Sequence, residues 1–269
     1  MDRMEVIMLK LKFFFILFCL LASGPTSGEM DWETYTLKAS ATDQAAAYDL
    51  LKKEFANLQY DHGMLVRDFL QINTQLKDKV FDLLAEYRIL TQNYLTDGST
   101  EYVYNLSLTN KIMFYILPKT SSVKLVVPML CPYCNQEWPA GKAVPPDIKL
   151  VPKQIETISY TGIIIDCRGL NLKPCLFPKI YNDALEEVYS VNFTDQNFII
   201  DQGLVLYTMQ DPHNDPRIGQ NPLRIRATDV IGSSRTDIKV SKLDGQRIHG
   251  SKNNLNLLRE CRLAIIFGP

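Results

Sequence analysis

The chain has 269 residues, of which 46% are hydrophobic and 22% are charged, and its formal net charge is −1. This composition excludes a disordered chain and supplies enough apolar residues for one or two cores. The near-neutral charge argues against nucleic acid as a partner, because phosphate binding needs a concentrated positive surface.

The first 28 residues have the pattern of a cleaved secretory signal. Lys10 and Lys12 precede an apolar run over residues 13–22, and small residues follow over 23–28. The run is too short to span a bilayer, and no later stretch approaches the roughly 20 apolar residues of a transmembrane helix. We therefore predict cleavage after Gly28 and a periplasmic or secreted mature chain, at most peripheral to the outer membrane.

Residues 29–117 are predicted to form a helix-on-sheet module. Two apolar stripes of helical period predict one helix that ends near Asp61-His62-Gly63 and a second helix that can break at Asn73-Thr74. The first stripe consists of Ala47, Leu51, Phe55 and Leu58, and the second consists of Leu65, Phe69, Ile72, Leu76, Val80 and Leu83. Strand-like residues 87–95 and 101–109 flank Asp97-Gly98, which is a strong hairpin signal. A helical layer on this small antiparallel sheet would bury both stripes.

Residues 118–156 are rich in proline and are predicted to form an extended linker. The linker contains Cys131-Pro132-Tyr133-Cys134, which matches the dithiol of glutaredoxins. A redox pair of that kind needs a helix that opens at the first cysteine. The steps Pro139-Ala140-Gly141 and Pro145-Pro146 forbid a sustained helix there. The motif therefore favours a tight knuckle over a catalytic site.

Residues 157–269 are predicted to form a second, mixed α/β module. The segment 160–166 is a short buried strand, and short helices are predicted over 195–201 and 254–260. Further strands are predicted over residues 179–181, 187–191, 204–209, 223–228, 237–241 and 262–267. The polar loop 210–222 is predicted to be mobile. The predicted fold class is α+β, with two small helix-on-sheet modules joined by the linker that carries the CxxC knuckle.

Cys131 and Cys134 leave three interpretations open. In an oxidising compartment a local disulfide is preferred. The spacing is also that of half a zinc site, but a structural zinc takes four ligands and the other mature cysteines are scattered singly. The third interpretation is redox catalysis. We accordingly predict no cofactor, with zinc at this pair as the alternative.

Two further groups of residues are candidate sites. Asp166 and Arg168 lie two apart where a buried strand meets Gly169, so they can pair or present one charge to a ligand; alternatively, they fix the turn. Tyr102 and Tyr104 alternate along a strand and are candidate interface residues, unless that face covers the helices and is ordinary core.

Three segments carry a resemblance to known proteins. They are residues 45–109, the stretch from Tyr160 to Leu170 with the later Pro178-Lys179-Ile180-Tyr181, and residues 235–241. They resemble a group of bacterial exported proteins that includes a small outer-membrane lipoprotein of Helicobacter and the flagellar proteins FlgP and FlgT. The resemblance implies a two-layer α+β module of the cell envelope, in some members part of rings around the flagellar motor. This chain departs from the lipoproteins because Phe18 precedes Cys19 where an acylation site has a small residue.

The function predicted from the sequence is that of a non-enzymatic exported envelope protein with a structural or assembly role. Its three histidines do not pair at ligand spacing, and it has no nucleophile elbow or phosphate-binding glycine loop. The predicted partners are envelope proteins or further copies of the chain. The alternative is a periplasmic thiol-disulfide oxidoreductase that uses Cys131 and Cys134.

Overall fold

The computed structural model describes residues 27–119, 128–139, 141–153 and 156–269. The predicted signal segment lies outside these ranges, apart from its last two residues. These two residues begin the first strand, β1 (Ser27–Asp31), so cleavage after Gly28 would shorten that strand. Among the residues that the structure describes, none of the helices is long and apolar enough to cross a lipid bilayer.

The N-terminal module is a four-stranded antiparallel sheet packed against helices. Its strands are β1, β2 (Thr36–Ala41), β3 (Arg88–Tyr94) and β4 (Thr100–Ser107), in the order β1-β2-β4-β3. Its helices are α1 (Gln44–Asn57), α2 (Val66–Ile72), α3 (Thr74–Leu84) and α4 (Lys111–Ile116). The apolar stripes lie on α1, α2 and α3, the break falls at Asn73, and β3 and β4 form the hairpin predicted around Asp97-Gly98.

The C-terminal module contains two sheets. The first has four parallel strands in the order β10-β14-β7-β11, namely β10 (Leu206–Thr208), β14 (Leu263–Ile266), β7 (Ile163–Asp166) and β11 (Leu223–Arg226). The second is mixed, in the order β12-β13-β8-β9, namely β12 (Asp229–Ile231), β13 (Asp237–Lys239), β8 (Ile180–Tyr181) and β9 (Glu187–Tyr189). Three helices complete it: α5 (Gln196–Gln202), α6 (Lys242–Ile248) and α7 (Lys252–Arg259). The predicted α+β class is confirmed.

The loop before β11 is anchored to the C-terminal module at Arg217 and Ile218, and the mobility predicted for residues 210–222 stays a prediction. Arg217 donates hydrogen bonds to the carbonyl oxygens of Cys261, Gln202 and Gly203, at 2.6, 2.8 and 2.8 Å. Ile218 is buried in the small apolar cluster on the outer face of the parallel sheet. The loop therefore covers that face, which would otherwise expose the apolar side chains of a parallel sheet.

The two modules share one continuous hydrophobic core, which the prediction of separate modules did not foresee. Tyr35 is 1% exposed, and its hydroxyl donates a hydrogen bond of 3.0 Å to the carbonyl oxygen of Val205. Its ring occupies the space beside Gly203, where an added Cβ would lie 2.6 Å away. The backbone N–H groups of Leu176 and Phe177 donate to the carbonyl oxygens of Gln59 and Tyr60, at 3.0 and 2.9 Å. Side chains and backbone thus both join the modules.

Tyr35 provides a test of this shared core. Tyr35→Ala should lower the free energy of unfolding by about 3–5 kcal/mol, because it leaves a cavity at the seam. Tyr35→Phe keeps the ring and should cost only about 1 kcal/mol, the contribution of one hydrogen bond. Urea denaturation measures both, with the exposed Tyr94→Ala as the control, expected within about 0.5 kcal/mol of the parent. A Tyr35→Ala loss no larger than that of the control would contradict the shared core.

Candidate functional site

The Cys131–Cys134 segment is a tight knuckle at the tip of a short hairpin. Residues 132–134 form a turn, and the Cys131 N–H donates to the carbonyl oxygen of Gln136 at 2.9 Å. The N–H of Asn135 donates to the Cys131 carbonyl oxygen at 2.9 Å, and Asn135 has a φ of 57°. Asparagine tolerates this left-handed conformation better than most residues, which explains how the chain reverses here without glycine. The predicted knuckle is therefore confirmed.

The rest of the linker holds the knuckle in place. Strands β5 (Met129–Leu130) and β6 (Val151–Pro152) pair with each other. Trp138 donates its backbone N–H to Met129 at 2.7 Å and its indole N–H to the carbonyl oxygen of Lys142 at 3.0 Å. Lys153 and Glu137 form an ion pair at 2.5 Å across the two arms. These bonds make the described linker residues 128–139 and 141–153 a folded hairpin rather than an extended segment.

The turn lowers the pKa of one of the two thiols of the knuckle. The backbone N–H groups of Cys134 and Tyr133 lower the pKa of the Cys131 thiol most, and the neighbouring Cys134 thiol lowers it further. Both cysteines are free thiols, so the predicted disulfide is not formed in this structure. The arrangement stabilises a thiolate at Cys131 by local backbone donors, without a helix N-terminus.

No other side chain of the described ranges completes a metal site at the knuckle, since no group of three or more histidine, cysteine, aspartate or glutamate residues gathers within them. The remaining cysteines there are Cys167, Cys175 and Cys261, all buried. Burial raises the pKa of Cys167 to about 12 and that of Cys261 to about 11, and it raises the pKa of Cys175 further. These three thiols are therefore protonated core residues.

Asp166, Arg168 and Gly169 form a closed turn at the carboxyl end of the parallel sheet. Arg168 donates its backbone N–H and its Nε–H to Asp166 Oδ1, at 3.0 and 2.9 Å, and its Nη2 lies 2.5 Å from Oδ2. The Arg168 hydrogen bonds lower the pKa of Asp166. Gly169 has a φ of 78° and donates its N–H to Gly268. The carboxylate is thus occupied by its own turn, which supports the turn-fixing interpretation over ligand binding.

Tyr104 is not a surface residue, which corrects its assignment as an interface residue. It is 3% exposed and packs in a small core cluster with Ala41 of β2 and Ala47 of α1. Tyr102 lies beside it, with ring centroids 6.0 Å apart, and is only partly buried. This face of the strand therefore covers helix α1 and is part of the core, which was the alternative interpretation of Tyr102 and Tyr104.

The exposed strand of the hairpin is instead β3. All seven of its residues are exposed, including Ile89, Leu90 and Tyr94. Strand β4 pairs with one side of β3, and β3 is the last strand of its sheet. The sequence predicted the hairpin, but it did not predict which of the two strands lies at the edge of the sheet.

A polar cluster at the module seam escaped the sequence analysis. Asp237, which is 3% exposed, accepts a hydrogen bond of 3.1 Å from the backbone N–H of Lys179, and its Oδ2 lies 3.6 Å from Nδ1 of His62. Ser234 donates to the carbonyl oxygen of His62 at 3.0 Å. Burial raises the pKa of Asp237. The cluster therefore holds the Asp61–Gly63 turn of one module against β13 of the other.

The two other histidines lie elsewhere. His249 is mostly buried, its Nε2 lies 2.7 Å from the carbonyl oxygen of Val188, and burial lowers its pKa, so its neutral form is favoured. His213 is exposed and contacts Asn214. The histidines therefore occupy three separate places, and none of them approaches another histidine at ligand spacing.

Comparison with known proteins gives one finding. Residues 162–269 match the protein family described as the second domain of Treponema pallidum Tp0624. The match covers about two fifths of the chain and contains both C-terminal sheets. Comparison with curated proteins finds no match. The similarity concerns the C-terminal module alone, so the resemblance to lipoprotein and flagellar proteins stays a prediction.

The seam cluster predicts an unusual pH response. Because the pKa of Asp237 is raised in the folded state, its carboxyl binds a proton more readily there than in the unfolded chain, and its contribution to stability should be lost as pH rises toward neutrality. Asp237→Asn keeps an oxygen acceptor for Lys179 and should remove this pH dependence while raising stability at pH 7. Urea denaturation at pH 5 and pH 7 measures it.

The matched control is Asp229→Asn, on the neighbouring strand β12, where the carboxyl is about half exposed. It should change stability little at either pH. A loss of stability at pH 7 in Asp237→Asn that exceeds the loss at pH 5 would contradict the argument, because it would mean that the buried charge itself stabilises the fold.

Proposed function

We propose that this protein is a non-enzymatic, exported cell-envelope protein whose role is assembly, and that strand β3 is its main contact. The export part rests on the signal pattern of residues 1–28. The envelope part rests on the sequence resemblance described above, including its outer-membrane and flagellar members. The single observation that carries the assembly role is the exposed edge of the N-terminal sheet.

An edge strand offers unpaired backbone N–H and C=O groups to any strand that approaches it. Soluble proteins usually protect such edges with proline, lysine, an inward charge or a very short strand. Strand β3 has seven residues, one charged residue (Arg88) and no proline, and it exposes Ile89, Leu90 and Tyr94. Its one irregularity is a bulge between Ile89 and Thr91. Strand β3 therefore lacks most of the usual protection.

The other sheet edges are less suited to strand addition. Strand β10 has three residues, all buried, while β11 has four and directs Arg224 and Arg226 outward. Strands β9 and β12 have three residues each. On the N-terminal sheet the opposite edge, β1, consists of small, acidic and methionine residues. Strand β3 is thus the longest of these edge strands with exposed apolar side chains. Pairing of β3 with a strand of a neighbouring copy would cover those side chains.

Leu90→Lys tests this contact. Leu90 is 54% exposed, so the substitution should leave the fold stable, whereas a charge on the edge should weaken self-association at least about tenfold, which corresponds to about 1.4 kcal/mol. Sedimentation velocity over a concentration series measures the association. The control is Ile72→Lys on α2, which adds the same charge at an apolar site that is 72% exposed and lies outside the sheet. A parent chain that stays monomeric at high concentration, or equal effects of both substitutions, would contradict the proposal.

Cell fractionation tests export. The chain should appear in the envelope or periplasmic fraction with residues 1–28 removed, as N-terminal sequencing would show. Recovery of the uncleaved chain from the cytoplasm would reject the envelope assignment, whatever the outcome at β3.

The second candidate function is thiol-disulfide exchange, which is favoured by the lowered pKa of Cys131 and by the exposure of Cys134. The turn at residues 132–134 supplies backbone donors but not the helix on which redox dithiols of this spacing usually lie. Insulin reduction distinguishes the two functions, with Cys131→Ser as the control. Turnover that disappears in Cys131→Ser would favour the oxidoreductase.

A further inference from the structure

A cavity lies between the linker hairpin and the C-terminal module. Its volume is about 320 Å³, which is within the range of small-molecule sites in proteins. The hairpin supplies one wall and the module supplies the other, and ligand sites are frequent at boundaries of this kind. The polar residues that line it include Glu137 and Lys153 from the hairpin and Glu186, Glu187 and His249 from the module.

The hairpin wall is anchored beside the module wall. The backbone N–H of Glu156, three residues after Lys153, donates to the carbonyl oxygen of Gly250 at 3.2 Å. The Glu156 carboxylate also pairs with Arg247, with Nε and Oε2 3.2 Å apart. Because His249 lies between Arg247 and Gly250 in the sequence, both contacts hold the base of the hairpin close to His249.

His249 contributes a ring nitrogen that can only accept a hydrogen bond. Its Nε2 lies 2.7 Å from the carbonyl oxygen of Val188, and because a carbonyl cannot donate, Nε2 carries the proton. Burial lowers the pKa of His249, so the ring has no second proton at neutral pH. Nδ1 therefore keeps a lone pair, and it has no hydrogen-bond partner among the residues that the structure describes.

Glu186 has one oxygen occupied and one free. Its Oε2 accepts a hydrogen bond of 2.6 Å from the side-chain amide of Asn182. Asn182 is 6% exposed, and its own amide oxygen accepts from the backbone N–H groups of Ala184 and Glu186, so the amide is fixed in orientation. Oε1 of Glu186 has no partner within the described ranges.

The carboxylate of Glu186 is also the one in this lining without an ion pair in the described part of the chain. Lys153 pairs with Glu137 across the hairpin, and Lys179 lies 4.0 Å from Glu187. The cavity thus combines one uncompensated negative charge with a neutral acceptor nitrogen. A ligand that satisfies both groups must carry a positive charge and donate at least two hydrogen bonds.

The occupied oxygen of Glu186 distinguishes between the two common organic cations. A guanidinium is bound most strongly when both oxygens of a carboxylate accept in a planar fork, and Asn182 already uses one of them. An ammonium is a compact charge with three donors, so single acceptors from different elements suit it. Pro128, Val188 and Leu255 give the walls an apolar part that suits an alkyl chain.

We propose that this cavity binds an aliphatic primary amine, whose ammonium group donates hydrogen bonds to Glu186 and His249. A short free diamine and the side chain of lysine share this chemistry. The site goes beyond the assembly role proposed above, and it does not depend on strand β3.

Isothermal titration calorimetry of the full chain with 1,5-diaminopentane at pH 7 tests the proposal. We expect saturable binding of one diamine per chain, and no binding of 1,5-pentanediol, which has the same length and no charge. Lysine with both its α-amino and its carboxyl group blocked is the second probe. If the diamine binds and the blocked lysine does not, the ligand is a free amine; equal or tighter binding of the blocked lysine identifies a lysine side chain.

Two substitutions test the walls of the cavity. Glu186→Gln keeps an oxygen acceptor for Asn182 and removes the charge, so it should weaken diamine binding about tenfold. Gln246→Trp places a large side chain at an exposed position of the lining and should abolish binding by filling the cavity. The matched control is Glu86→Gln, which removes the same charge from an exposed site of the N-terminal module and should bind like the parent chain. Circular dichroism confirms that each variant is folded.

Three results would overturn the amine site. One is the absence of saturable diamine binding, and another is equal binding of 1,5-pentanediol. The third is equal weakening by Glu86→Gln and Glu186→Gln, which would mean that the diamine responds only to the overall charge. Leu90→Lys should leave diamine binding unchanged, so failure of this site and failure of the β3 contact are distinguishable.

Discussion

Burial of aromatic side chains at the seam between the modules is the constraint on which the rest of the structure depends. Tyr35 belongs to the N-terminal module by sequence but completes a core that contains Tyr207 and Tyr189 of the C-terminal module. Trp32 contacts both Tyr35 and Tyr207 edge to face, with ring centroids 6.1 and 5.6 Å away. The linker is therefore not what holds the modules together. Its described residues 128–139 and 141–153 form a small hairpin of their own, which carries the half-buried Cys131 and the exposed Cys134.

Sequence periodicity predicted the local elements well and their long-range pairing poorly. The stripe Ala47, Leu51 and Phe55 and the Asp97-Gly98 turn are local signals, and they identified α1 and the β3–β4 hairpin. Strand β2 was missed because its buried face carries Ala39 and Ala41, which are too small to give a clear alternation. The short helices α4 and α6 and the parallel strand order were also missed, because short elements have weak periodicity and strand order depends on contacts distant in sequence.

The candidate sites show the same division between local and distant information. The knuckle followed from proline and glycine steps next to Cys131 and Cys134, which act within a few residues. The burial of Tyr104 depends on Ala47, some 57 positions earlier, and the Asp237–His62 contact joins residues 175 apart. An alternating strand pattern says which residues share a face, but not whether that face meets a helix, solvent or another chain.

The position of β14 in the parallel sheet has a consequence for how the chain folds. This strand, Leu263–Ile266, lies between β7 and β10 and pairs with both, although it is the last strand of the chain. Strand β10 has β14 as its one neighbour in this sheet, and the other partner of β7 is β11, so every pairing in the sheet joins residues distant in sequence, and such contacts slow folding. A chain of this topology stays unfolded for longer during synthesis than one whose neighbouring strands follow each other.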